Sequence, residues 1–219
     1  MLFRVPYYLL RVRAVRELSR LCGRGRGLVL TYDDGPGRRL SRALVGLLGS
    51  RGARATFFVL GRRVVEDGET VDVVRAAGHE LGVHSFDHRN AWQGPGAAVK
   101  DIEAGYAAAA RWVGADGLFR PPHGKLSYGT WRALRRRGAR ICWWTVDSGD
   151  TWAALPPARR AVDAVVRAGG GVVLMHDFDR GPEREAFVLE TTGLLLDAAA
   201  REGLNVMTLS ELFSSRGRA

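Results

Sequence analysis

The sequence predicts one α/β domain, a (β/α) barrel or a distorted relative of it, with about seven parallel strands. Three observations predict it. After residue 26, short β-rich runs alternate with helix-like stretches without an intervening linker. The runs are almost continuously apolar, as expected of parallel strands covered on their outer side by helices. The residues able to do chemistry collect immediately after the runs, which in a barrel is the face where sites are built. A doubly wound open sheet is the alternative, but no G-x-G-x-x-G follows the first run, which counts against a dinucleotide site.

In order, the runs are 27–34 (GLVLTYDD), 55–61 (ATFFVLG), 79–85 (HELGVHS), 117–122 (GLFRPP), 140–147 (RICWWTVD), 171–177 (GVVLMHD) and 203–209 (GLNVMTL). The helical stretches between them are 39–49, 70–77, 96–113, 127–137, 157–168 and 184–201. Gly52, Gly78, Gly114, Gly138, Gly169 and Gly203 fall where helices would end, the position glycine favours because it adopts a left-handed backbone freely.

Residues 1–26 read as a separate basic segment, 27–213 as the domain, and 214–219 as a short basic tail. The first segment holds seven arginines against Glu17, so it carries +6 of the +10 net charge. The rest is nearly balanced, which argues against a nucleic-acid partner, since that would want cations spread over a folded face. Within residues 7–22, Leu10, Ala14, Leu18 and Leu21 form one stripe with Arg13, Arg16 and Arg20 off it. Such a helix either covers one end of the barrel or lies on an anionic membrane as a peripheral contact. Two isolated cysteines, no span of ~18 apolar residues and a poor leader pattern (VPYYLL between Arg4 and Arg11) read as a cytoplasmic protein.

The polar residues sort to one end of five runs. The first run ends in Asp33-Asp34, the third in His84-Ser85-Phe86-Asp87-His88, the fourth in Arg120-Pro121-Pro122-His123-Gly124, the fifth in Asp147-Ser148-Gly149-Asp150 and the sixth in His176-Asp177. Two adjacent carboxylates repel one another and resist burial, so something must hold them. His84 and His88, spaced i, i+4, would face one way on a helical turn. With a carboxylate from the first run they make a two-His, one-Asp set suited to zinc or a similar divalent ion, which would also offset the repulsion. His79 begins the third run, at the far end from the chemistry, and reads as structural. Phe57, Phe58, Trp143 and Trp144 read as core. Trp92 and Trp152 lie in loops of the polar face, where their rings could stack on a ligand.

TYDDGP, HSFDH, RPPHG and LMHD, in that order over residues about 27–210, resemble the motifs of the polysaccharide deacetylases, the NodB-homology or family-4 carbohydrate esterases. The resemblance implies a NodB-like distorted barrel and metal-dependent hydrolysis of an acetyl group from an N-acetylated amino sugar, oligosaccharide or glycoconjugate. It implies Asp34, His84 and His88 as metal ligands, most simply of Zn with Co, Ni or Mn as alternatives. Asp33 would be the general base, Arg120 its partner, and His176 the general acid supported by Asp150. The backbone N–H of His123 would stabilise the oxyanion, and Leu174, Trp152, Pro121 and Pro122 would line the substrate pocket. An O-acetyl esterase and a non-catalytic sugar-binding relative share most of these motifs. Two departures stand out. His123 occupies a place usually aromatic, and Thr151 intervenes where Asp150 is normally followed by Trp, so that Trp152 is either displaced by an insertion or replaced in its slot by Thr151.

Overall fold

The computed structural model describes residues 5–114 and 116–215, with the side chains of 5–7 outside the description. Most of the expected basic tail, 216–219, also lies outside it. The elements follow as α1 (Val5–Gly25), β1 (Gly27–Gly35), α2 (Leu40–Ser50), β2 (Thr56–Val59), α3 (Gly61–Glu66), α4 (Gly68–Ala76), β3 (Glu80–Val83), α5 (Pro95–Ala109), β4 (Leu118–Phe119), α6 (Tyr128–Arg137), β5 (Arg140–Ile141), β6 (Val146–Asp147), α7 (Arg159–Ala168), β7 (Gly171–His176), α8 (Pro182–Glu202), β8 (Asn205–Val206) and α9 (Leu209–Ser214). A 3₁₀ turn at Pro122–Gly124 follows β4.

The strands form one all-parallel sheet in the order β5-β4-β3-β2-β1-β7-β6, with β8 paired to the start of β1. The run 140–147, expected as one strand, divides. Its first residues pair with β4 and its last with β7, at opposite edges of the sheet. The backbone N–H of Cys142 still donates to Phe119 and that of Thr145 to Val172. A single extended segment therefore closes the sheet on itself, giving a distorted barrel whose closure lacks a regular ladder. The run 203–209 is not a seventh stave: only Asn205–Val206 is strand, and a Thr208 cap with Glu211 starts α9. The expected helix 70–77 is preceded by a further short helix, α3, which the Gly61 and Gly68 positions obscured.

Alternation along the strands decides what reaches the barrel interior. On β1, Leu28, Leu30 and Tyr32 face out onto a helix-covered cluster with Val173 and Met175 of β7. Val29, Thr31 and Asp33 therefore face in, as do Val172, Leu174 and His176. The β1–β7 register sets these side by side, Val29 with Val172, Thr31 with Leu174 and Asp33 with His176. The lower interior is apolar and the upper interior polar. Each buried Val, Leu or Phe contributes about 1.5–3 kcal/mol, so the apolar floor anchors the polar layer above it.

The basic N-terminal helix packs against the barrel. Leu18 and Cys22 are buried in the same cluster as Val29 and Val172, and Ala14, Val15 and Leu21 pack against it. The helix crosses the closing segment: the Arg11 guanidinium lies 4.8 Å over Trp144, and Leu18 lines a small cavity with Ile141 and Trp143. Of its apolar stripe, Ala14, Leu18 and Leu21 pack on the barrel, while Leu10 is exposed. His79, at the far end, is buried and accepts from the N–H of Ala55 at 3.4 Å.

Candidate active site

β1 delivers both carboxylates, but in different directions. Asp33 follows the strand alternation inward. Asp34 would point outward, yet its φ is +68° and the β1–β2 register slips between Asp33 and Gly35. This bulge turns Asp34 back over the barrel mouth. The glycines beyond it permit a close approach: a Cβ on Gly35 would strike the Asp177 carboxylate, and one on Gly37 the Asp177 carbonyl.

His84 and His88 come together without the helical turn their spacing suggested. Residues 84–90 form a loop, with Ser85 at φ +70° and His88 at φ +60°. Ser85 Oγ accepts from the N–H of His88 at 3.0 Å, and buried Asp101 of α5 accepts from the N–H groups of Asp87 (2.7 Å) and Arg89 (3.0 Å). Among the described residues, four of the five non-glycine residues with positive φ are Asp34, Ser85, His88 and His123. Backbone strain of this kind persists only where the surroundings enforce it, and here it converges on one site.

The three candidate ligand atoms of Asp34, His84 and His88 all lie within 4.8 Å of one another. Asp34 Oδ1 is 3.5 Å from His84 Nε2 and 3.7 Å from His88 Nε2, and it is buried without a hydrogen-bond partner in the protein. His84 Nδ1 is 2.8 Å from the carbonyl oxygen of Arg120, which fixes its proton on that nitrogen and leaves the Nε2 lone pair facing Asp34. Burial, with Asp34 opposing it and the Arg120 charge adding to it, pushes His84 down to about 3, so the imidazole is neutral as a ligand must be. An orphaned carboxylate oxygen opposed to a free imidazole nitrogen is what a divalent cation would satisfy, and the donor set fits one.

Asp33 lies beside this centre, its Oδ2 3.8 Å from His84 Nε2. Its Oδ1 accepts from Arg120 Nη1 at 2.8 Å. Arg120 is wholly buried and also donates to Thr31 Oγ1 (2.6 Å) and the Trp143 carbonyl (3.2 Å), with Phe58 under its guanidinium at 4.3 Å. Burial raises the Asp33 pKa above the usual carboxylate range, and the Arg120 charge and hydrogen bond oppose that rise.

On the other wall, Asp150 Oδ1 is 3.0 Å from His176 Nδ1, and Asp150 Oδ2 accepts from the His176 N–H at 2.9 Å. Burial disfavours a charged His176, but the Asp150 hydrogen bond and charge, with Asp33 and Asp34 behind them, outweigh it and raise His176 to about 9. Asp150 is held low despite its burial by His176 and Arg180.

Leu174 lies one interior layer below His176, beside Thr31. Pro121 and Pro122 are buried in the turn after β4, while the His123 side chain is exposed and its ring meets His88 edge-on at 4.4 Å. A cavity of about 390 Å³ opens beside His88 and His123, walled further by Arg89, Asn90, Gln93 and Ala97. The two loop tryptophans have separate partners. Trp92 donates its indole N–H to Leu126 at 2.9 Å, with Lys125 over its ring. Trp152 is 41% exposed, and its ring lies 4.4 Å from the guanidinium carbon of Arg160. Trp144, expected in the core, is only partly buried between Arg11 and Arg120.

Three residues that build this site carry no signal in the sequence, Ser41, Asp101 and Arg180, and a fourth, Asp177, is visible beside His176 but without a role. Asp177, fully buried and raised by that burial to about 7, lies 2.5 Å from Ser41 Oγ and ties the β7 loop to the β1 loop. The histidine-aspartate pair after the sixth run was visible; its partner on α2 was not.

A distorted parallel barrel with a two-His, one-Asp centre at its mouth, flanked by an Arg-held carboxylate and an Asp-held imidazole, has the parts of a metal-assisted hydrolase. The comparisons narrow the class. The family model described as polysaccharide deacetylase matches residues 20–142. The chain belongs to the polysaccharide deacetylase family. It is 29% identical over 188 residues to the peptidoglycan-N-acetylglucosamine deacetylase of Bacillus cereus, covering 84% of this chain and 87% of that protein. It is 29% identical over 202 residues to the chitooligosaccharide deacetylase of a Bradyrhizobium species, covering 85% and 90%. The structure of a family 4 carbohydrate esterase from Streptomyces lividans in complex with acetate superposes with a TM-score of 0.70 at 29% identity, covering 80% of this chain and 88% of that one.

Proposed function

We infer that this chain is a metal-dependent carbohydrate N-deacetylase, hydrolysing the acetamide of an N-acetylated amino sugar in an oligosaccharide or glycoconjugate. The observation that carries this reading is one interior layer holding Asp33 and His176 side by side, with the Asp34–His84–His88 set directly above it. The names of the relatives, deacetylases of N-acetylglucosamine in peptidoglycan and of chitooligosaccharides, support an amide over an ester substrate.

In this reading Asp34, His84 and His88 hold the ion, with zinc favoured by two imidazoles and one carboxylate. When bound, such an ion acts as a Lewis acid on the acetyl carbonyl and makes water a better nucleophile. Asp33 takes the proton of the attacking water, aimed by Arg120. The raised pKa of Asp33 suits it to that task, because a stronger base takes the proton more readily. The N–H of His123 donates to the oxygen that gains negative charge. His176 gives its proton to the departing nitrogen, which leaves poorly as an amide anion. Leu174 and the Pro121–Pro122 turn close the floor and side against the acetyl methyl.

The deciding experiment is acetate release from a panel of N- and O-acetylated sugars, with chelation and metal add-back. Release that survives chelation, or none from any sugar, would overturn the reading. His176→Ala should abolish amide hydrolysis, whereas an enzyme built for esters would keep most of its ester activity.

The setting is the cytoplasm, at an anionic membrane face. Arg13, Arg16, Arg20 and Arg24 are exposed on α1, and Tyr8, Leu9 and Leu10 are exposed at its active-face end, one turn beyond Arg11. No helix among the described residues is long and apolar enough to cross a membrane. Because Leu18 and Cys22 belong to the core, the test is the full chain with Leu9→Glu and Leu10→Glu, sedimented with phosphatidylglycerol vesicles. Unchanged binding, or no binding by the parent chain, would refute this setting.

A further inference from the structure

The loop after β6 departs from the family pattern at Thr151, yet it carries Asp150, the partner of His176. Two arginines at the start of the β7–α8 connection and helix hold it. Arg180 Nη1 and Arg184 Nη1 both donate to the Asp150 carbonyl, at 3.0 and 2.6 Å, and Arg184 Nη2 donates to the Trp152 carbonyl at 2.9 Å. The two contacts bracket Thr151. Arg180 does more, because its Nη2 donates to Asp150 Oδ2 at 2.6 Å while Oδ1 faces His176 Nδ1. One wholly buried carboxylate therefore serves two cations. Arg180 is itself nearly buried, with Phe178 4.7 Å from its guanidinium carbon.

We propose that Arg180 is a positioning residue for the deacetylation: it fixes Asp150 across the Thr151 departure and, by sharing that carboxylate, sets the aim and strength of His176 as proton donor. This rests on the reading of His176 as the acid. The other charged groups bearing on His176 are Asp33 and Asp34 from β1, Asp150 from the loop after β6 and adjacent Asp177, with Arg120 behind Asp33. Arg180 is the cation that contacts the same carboxylate as the imidazole. Its removal leaves the Asp150 carboxylate to His176 and the neutral Ser148 hydroxyl, which donates to Oδ1 at 3.1 Å, so the imidazolium is held more tightly, titrates at higher pH and donates less readily.

The test uses the zinc-loaded full chain carrying Arg180→Gln, with Arg180→Met as a second variant that keeps the apolar stem against Phe178, and Arg184→Gln as the control. Two quantities are read: the pH profile of kcat, and the imidazole ¹⁵N titration of His176, assigned by its loss in His176→Gln. Both Arg180 variants should move the titration and the alkaline limb of kcat up by about half a pH unit or more. Plateau kcat should fall about tenfold, with KM little changed. Arg180→Lys should restore most of the profile, Arg184→Gln should leave the limb in place, and Arg180→Gln should have no further effect on His176 once Asp150 is Asn. A fall in kcat with neither limb nor titration moved would make Arg180 a plain loop clamp and overturn the proposal, as would a change confined to KM. The titration needs no substrate. A parent chain that releases no acetate sinks the deacetylase reading alone, and an active enzyme with an unmoved His176 sinks this inference alone.

Discussion

Replacing Arg120 with methionine removes the cation under Asp33 while keeping an unbranched apolar stem. The guanidinium is wholly buried and makes three hydrogen bonds, to Asp33 (2.8 Å), Thr31 (2.6 Å) and the Trp143 carbonyl (3.2 Å). Breaking a buried ion pair by deleting one partner costs about 3–5 kcal/mol, because a charge is left without compensation. For a chain of this size each kcal/mol moves Tm by about 2–4 °C, so a fall of ~6–20 °C is expected. The effect on catalysis has a definite sign. Burial raises the pKa of Asp33 and Arg120 opposes that rise, so without Arg120 it climbs further. The base is then protonated over a wider range, and the acid limb of kcat/KM moves to higher pH. Loss of a positioned base costs about 10²–10⁴-fold, which bounds the fall at neutral pH. Thermal melting and pH-resolved acetate release on metal-loaded protein measure both. A variant with parental Tm and an unmoved acid limb would show that Arg120 neither compensates nor aims Asp33.

Other substitutions probe separate parts of the site and fold. Asp34→Asn keeps a residue that tolerates the left-handed backbone but loses the charged ligand. Its metal affinity, measured by competition with a chromogenic chelator, should fall by at least the ~10–100-fold that loss of a supporting partner costs. Gly35→Ala places a methyl against the buried Asp177 carboxylate and should destabilise by about 1–3 kcal/mol in urea denaturation; a neutral result would mean that the two loops are not tightly apposed. His79 is pushed down to about 4, first by burial and then by the Arg54 charge. The unfolded chain therefore binds the extra proton between pH ~6.5 and ~4, and stability is lost as pH falls through that window. His79→Gln should flatten this part of the Tm–pH curve, and an unchanged slope would assign the acid sensitivity elsewhere.

The alternation of apolar runs and helices was enough to place five polar clusters at one end of a parallel sheet, because strand direction follows from right-handed β-α-β connections and loops carry the chemistry. The identities of Asp33, Asp34, His84, His88, Arg120, Asp150 and His176 were legible for the same reason: each closes or follows an apolar run. What the linear chain left open depends on pairing across it. Strand register sets Asp33 in the same layer as His176, and a bulge with φ +68° separates Asp34 from its neighbour. Local spacing suggested a helical turn for His84 and His88, but their loop is held by Asp101 from α5. The 140–147 run read as one strand because apolar content carries no record of which neighbour accepts its hydrogen bonds. Arg180 is illegible in the linear chain for a related reason. One arginine among many has no local signature, and only folding brings it within 2.6 Å of Asp150. Sequence thus determined which residue types stand at the ends of the strands, through periodicity and connection length. Tertiary structure alone decided their directions, partners and charge states, since these follow from burial and from contacts between residues far apart in the chain.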